Sequence, residues 1–292
     1  MTDPTPINDT LNAAIIEQLD TCLSAIAGND PASERVHTAR KHLKRVRALL
    51  ALRQPQRHLD RSAQALRLVA RSLGRVRDAA ALTETWSEGA EHINAAAHSA
   101  IAELLNAHRA SVSPTARESR RLARAERALT AIRERLATAL EGEAKEGRKQ
   151  LARAARRSYG QARHRLRRAI EEPNADSLHA LRRAAKRQQY QLQFLEPLWD
   201  RPLKAQRKEL DRLNELLGAH HDLCAIEALL ERDSPARLRT LDSGWSEELQ
   251  QWRDELFSSA VDLARRAFSE PAPGFERRLQ RLFTVRDSLT AN

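Results

Sequence analysis

Two stretches, one in each half of the chain, set a histidine ahead of a run of guanidinium and ammonium groups. Residues 31–55 read PASERVHTARKHLKRVRALLALRQP, and residues 173–197 read PNADSLHALRRAAKRQQYQLQFLEP. At a constant offset of 142, Pro31 aligns with Pro173, His37 with His179, Arg40 with Arg182, Lys44 with Lys186, Arg45 with Arg187 and Pro55 with Pro197. These residue types share one chemistry. A guanidinium fork grips phosphate oxygens in pairs, an ammonium acts as a point charge, and an imidazole beside a polyanion tends to be held protonated and to donate from both nitrogens. Twice repeated, the set points to an anion-binding surface.

Helical geometry decides which of these groups can act together. At 100° per residue, His37, Arg40, Lys41, Lys44 and Arg47 fall on one arc of roughly 120°, with Arg45 just beyond it. Val36, Ala39, Leu43, Val46 and Leu50 fall on another arc and are the expected core face. In the second copy His179, Arg182, Arg183 and Lys186 share the cationic face with Tyr190, and Leu178, Leu181, Ala185 and Leu192 face away. Arg187 repeats Arg45, while Gln189 stands where the first copy has Arg47, so the second face is weaker.

Two further segments carry cationic stripes. Arg117, Arg120, Arg121, Arg124 and Arg127 share one arc, and Lys145, Lys149, Arg153, Arg156, Arg163 and Arg167 lie along one side of another helix. These are secondary candidates. Like charges three or four apart repel by a few tenths of a kcal/mol per pair. A helix shaped for stability alone would interleave carboxylates, and the two motif helices place none on the face.

The elements that position these residues are helices throughout. Glycine (9) and proline (11) are sparse in 292 residues, and Ala, Leu, Arg and Glu dominate. Punctuation at Gly28–Pro31, Pro55, Gly89, Ser111–Pro114, Gly142–Gly147, Pro173, Pro197 and Ser234–Pro235 separates amphipathic runs. No run alternates with a period of two, so the expected class is all-α, built as antiparallel bundles. The repeat continues into LGRVRD at 73–78 and LGAHHD at 217–222, now at an offset of 144. Residues 1–8 are expected to form a disordered lead, 9–142 the first repeat and 143–292 the second.

The charge balance, 50 basic against 39 acidic residues for a net +11, points to polyanionic partners. Cys22 and Cys224 offer neither a disulfide framework nor zinc spacing. No apolar run spans a bilayer and no secretion signal opens the chain, so a cytoplasmic location without membrane contact is expected.

These residues resemble the CHAD family, all-helical proteins named for their histidines. VHTARKHLKRVR at 36–47 and LHALRRAAKRQQY at 178–190 fit its hydrophobic-His-x-x-Arg-x-x-x-(Arg/Lys)-Arg form, and the Leu-Gly-x-x-x-Asp elements match its next helix. The resemblance spans roughly residues 10–285. It implies two bundles of about four helices each, related by a pseudo-twofold axis, with basic faces lining a central pore or cavity. It also implies binding of inorganic polyphosphate, association with polyphosphate granules and contact with polyphosphate-metabolising enzymes. The residues carried over are His37, Arg40, Lys44, Arg45 and Arg47, then His179, Arg182, Lys186, Arg187 and Tyr190.

Rival readings are weaker. EGEAK at 141–145 matches the Glu-x-Glu-x-Lys signature of triphosphate tunnel enzymes, but that motif needs a β-barrel and its surroundings here are helical. His220–His221–Asp222 evokes a metal phosphohydrolase without the further ligands, and the repeat aligns Asp222 with Asp78 as a salt bridge or cap. His220 and His221 receive no role, and His37 and His42 do not share a helix face. No metal, cofactor or catalytic grouping is expected, so the chain reads as a binding protein and not an enzyme. The alternative is a sequence-nonspecific nucleic-acid binder or assembly scaffold. Aromatics at 4% argue against a row of base-stacking platforms.

Overall fold

The computed structural model describes residues 7–53, 57–112, 116–141, 147–233 and 244–290. The first half holds α1 (Ile7–Ala27), α2 (Ala32–Leu50), α3 (Arg57–Ser72), α4 (Gly74–Glu88), α5 (Ala95–Ser111) and α6 (Ala116–Glu141). The second holds α7 (Arg148–Glu171), α8 (Ala175–Leu195), α9 (Asp200–Asp233), α10 (Gly244–Ala267) and α11 (Ala272–Thr290), with a 3₁₀ turn at Glu196–Leu198. There is no strand among the described residues, as the all-α expectation required. Helix α1 begins at Ile7, inside the stretch expected to be disordered. The expected seam at 142–147 falls almost wholly outside the described residues.

The periodicity of each sequence run explains its burial. Val36, Ala39, Leu43, Val46 and Leu50 are all buried on α2, and Leu178, Leu181, Ala185 and Leu192 on α8, as the two arcs predict. Pro31 sits at the N-cap of α2, a position where its missing N–H costs nothing. Asn174 caps α8 in a reciprocal box: its side chain accepts from the Ser177 N–H, and the Ser177 hydroxyl accepts from the Asn174 N–H.

These faces close two apolar cores. The larger takes α1, α2, α3 and α6 from the first half and α7, α8, the first part of α9, the end of α10 and α11 from the second. Helices α2 and α8 pack directly on each other, so the two copies share this core. At its heart the Gln191 amide donates to the Ala48 carbonyl at 2.9 Å and to the Ser158 hydroxyl at 3.0 Å. The smaller core joins α4 and α5 to the later part of α9 and the start of α10 around Trp86, Trp245 and Trp252. Four of the first half's six helices thus enclose the main core, and its other two form a satellite with the second half.

The satellite is tied by paired rings. His98 stacks on Trp86, with centroids 5.4 Å apart, and His92 stacks on Trp252 at 4.7 Å. Gly89 passes so close to Trp252 that a Cβ there would overlap the indole.

Candidate functional site: a shared cationic face

Because α2 and α8 are neighbours, their basic arcs meet. Three relationships across the copies define the junction. The Arg45 guanidinium carbon and the Lys186 ammonium lie 5.7 and 5.6 Å from the Tyr190 ring centroid, so one aromatic ring from the second copy is flanked by a cation from each. Lys41 of the first copy adds its charge to that felt by Lys186 of the second. Arg47 of the first copy lies among Arg183 and Arg187 of the second, together with Arg67 and Arg71 of α3.

In this last group, guanidinium groups from three helices are gathered beside one another. Burial lowers Arg47 to about 10, and the four surrounding arginines push it the same way. Arg187 is lowered by burial and then by Arg67 and Arg183, while it donates to the Gln161 side chain at 2.8 Å. Both remain charged at neutral pH, crowded into partial shelter from water. Such crowding costs folding energy that an arriving polyanion would return.

Every primary candidate lies on the pair of motif helices. His37, Lys41, Lys44 and Arg183 are exposed, and Arg40, Arg45, Arg47, His179, Arg182, Lys186 and Arg187 are half-buried. Tyr190 is buried, and that burial raises its phenol. The Leu-Gly element takes on a physical meaning here. A Cβ on Gly218 would come within 3.0 Å of the Arg182 guanidinium, so glycine lets that cation lie across the backbone of α9.

The histidines divide into two kinds. His179 is lowered to about 4, first by burial, then by His221, Arg183 and Arg182, with Asp176 opposing. Its ring lies against that of His221 from α9, centroids 4.8 Å apart. His42 turns away from the face and meets the Gln18 side chain at 2.9 Å. His220 is lowered chiefly by burial and packs beside Cys224 and Arg253 in the satellite.

Sequence periodicity alone overlooked four residues here: Arg67 and Arg71 on α3, and Asp211 and Glu215 on α9, whose carboxylates counter the burial of Lys186. His221, which the sequence left without a role, lies against His179. The usable signal for the arginines was their i, i+4 spacing directly before the first Leu-Gly element. Gln189, placed by alignment where the first copy has Arg47, instead is buried and bonds Asp211 and Asn214. Asp222 lies in the middle of α9 and accepts from the Thr85 hydroxyl at 3.3 Å, so it is no helix cap.

The secondary stripes lie elsewhere. Arg120, Arg124 and Arg127 are exposed on α6, which packs on α1 and α3, and Arg121 faces the buried Glu118. On α7, Arg156 and Arg153 reach Glu276 of α11 at 2.9 and 3.8 Å, and Arg163 donates to the Glu270 carbonyl at 2.5 Å. That stripe ties α7 to α11. Lys149 and Arg167 are exposed. The Arg117 side chain and Lys145 lie outside the described set, as does most of EGEAK. Among the described residues no group of three His, Cys, Asp or Glu side chains is placed to hold a metal ion, and no helix is long and apolar enough to cross a membrane. Cys22 and Cys224 are free thiols.

Among curated proteins none matches this chain. A solved structure described as the CHAD domain from the plant Ricinus communis shares its fold, with a TM-score of 0.61 over 90% of this chain and 92% of that one, at 20% identity. The family model described as CHAD domain matches residues 13–231, the span that contains both histidine-led helices, both Leu-Gly elements and the junction at Tyr190. By that match the chain belongs to the CHAD domain family.

Proposed function

We propose that the joined face of α2 and α8 binds inorganic polyphosphate without turning it over. Binding would bring the protein to polyphosphate granules or to the enzymes that make and consume the polymer. The observation that carries this reading is Arg47, whose strongest electrostatic neighbours are four arginines from two other helices. A flexible polymer with about one negative charge per phosphate suits such a cluster. It can follow closely set cations that a stiff duplex cannot, and counterion release supplies affinity that falls with salt.

Binding without turnover is supported by the state of Asp211, the carboxylate that acts most strongly on Lys186. Asp211 already accepts from Arg207 at 2.9 Å and from Gln189, so it is committed to α8 and α9. The cytoplasm is the compartment where such a polymer and such free thiols fit together.

A second reading, nonspecific nucleic-acid binding, draws on the exposed Arg120, Arg124 and Arg127 of the outer stripe. Titration with medium-chain polyphosphate over a salt series, with charge-matched single-stranded DNA as competitor, separates the two. The expected result is tight binding that DNA displaces poorly and that collapses in the His37→Ala/Arg40→Ala/His179→Ala/Arg182→Ala variant. Equal displacement by DNA, with binding indifferent to those four residues, would favour the second reading.

A further inference from the structure

The offset of 144 that links the Leu-Gly elements extends backward through α3 and the start of α9. Leu59 and Leu203, Leu66 and Leu210, Val69 and Leu213, and Leu73 and Leu217 are equivalent in this register, and all eight are buried. The register therefore holds in packing as well as in sequence. In the same register Arg67 corresponds to Asp211, and Arg71 to Glu215.

Charge thus reverses between equivalent positions on the two sides of the shared face. On the α3 side, Arg67 and Arg71 add to Arg47, and Arg67 adds to Arg187. On the α9 side, Asp211 and Glu215 oppose Lys186. A face of two equivalent halves would offer a polyanion two equal paths. This one offers a wall of like arginines on one side and a pair of carboxylates on the other.

We propose that a bound polyphosphate chain runs along the α3 side, with Arg67 and Arg71 as ligands beside Arg47, Arg183 and Arg187, and that Glu215 and Asp211 fence it from the α9 side. The inference rests on the polyphosphate reading above and adds the path of the ligand to it. Coulomb repulsion from a carboxylate acts on every phosphate that approaches, and partial shelter from solvent strengthens it. Glu215 is the better probe of the fence, being exposed, whereas Asp211 also holds Arg207 and Gln189 in place.

The test is titration of the full chain with medium-chain sodium polyphosphate at several sodium chloride concentrations. Arg67→Ala/Arg71→Ala is compared with Arg124→Ala/Arg127→Ala, which removes the same charge from the outer face of α6. The α3 variant is expected to lose about tenfold or more in affinity and to flatten the salt slope by about 1.4, taking roughly 0.7 per cation from the single-strand case. The α6 variant should shift either value far less. Glu215→Arg is expected to bind about threefold to tenfold more tightly, a gain that misfolding cannot produce. Equal losses in the two double variants, or unchanged affinity in Glu215→Arg, would overturn the path while leaving the polyphosphate reading intact. Failure of the unaltered protein to bind at low salt would overturn both.

Discussion

The Arg45 guanidinium carbon stands 5.7 Å from the centre of the Tyr190 ring, and the two residues come from different copies of the repeated motif. The contact is the point where two separate helix faces become one surface. Lys186 approaches the same ring at 5.6 Å, so the aromatic holds two cations near each other that would otherwise separate.

Removing the ring should therefore weaken binding without removing charge. Tyr190→Leu is expected to lower polyphosphate affinity about threefold to tenfold, since each cation–ring contact is worth about 0.5–1 kcal/mol when partly solvated. Tyr190→Phe keeps the ring face and should stay within about twofold of the parent. Direct titration of both variants checks this, with melting curves to confirm that each is folded.

Arg47 should show function opposing stability. Arg47→Gln relieves repulsion with Arg67, Arg187, Arg183 and Arg71, and is expected to raise unfolding free energy by up to about 1 kcal/mol while weakening polyphosphate binding. Denaturant melts and binding titrations on one preparation measure both. Loss of both stability and binding would make Arg47 a packing residue.

Two histidines give the fold a defined acid limit. His42 and His179 are each lowered from 6.5 to about 4, mainly by burial, so the native state favours their neutral forms. A base whose folded value lies below its unfolded one contributes stability that is complete above about pH 6.5 and is lost as pH falls toward 4. His42→Gln should flatten the fall in Tm over that window by about 3 °C. His179 adds a second signature: a neighbouring polyanion pulls its value upward, so binding takes up protons and affinity rises as pH falls below neutrality. Calorimetry in buffers of different ionisation enthalpy reads that uptake, and His179→Gln should reduce it.

Gly89→Ala tests the satellite core. Its new methyl overlaps the Trp252 indole, which cannot retreat without leaving His92 and Trp86. The expected cost is about 1–3 kcal/mol in a denaturant melt. A variant as stable as the parent would mean that α4 and α10 separate easily.

Much of this site was legible in the sequence because a helix converts spacing into direction. The arcs through Val36 and Leu178 marked the core, and the arcs through His37 and His179 marked the cations. Spacing within a helix does not report which helices become neighbours. Arg67 and Arg71 therefore passed unnoticed until α3 was seen beside α2, and His221 had no role until α9 was seen beside α8. Gln189 shows the opposite failure: alignment matched it to Arg47, but α8 rotates it into a buried bond with Asp211 and Asn214. The satellite was not foreseen either, because it joins helices from different halves, and amphipathic patterning shows only that each helix has a face to bury.

Helix α9 runs unbroken for 34 residues, whereas the matching stretch of the first half is divided at Leu73 between α3 and α4. At 1.5 Å per residue it is a rod of about 50 Å, anchored at one end among Leu203, Leu210 and Leu213 and at the other beside Trp245. A rod transmits displacement and a jointed arm absorbs it. The joined face is therefore flanked by a continuous rod on one side and a jointed pair of helices on the other, and the jointed side carries Arg67 and Arg71.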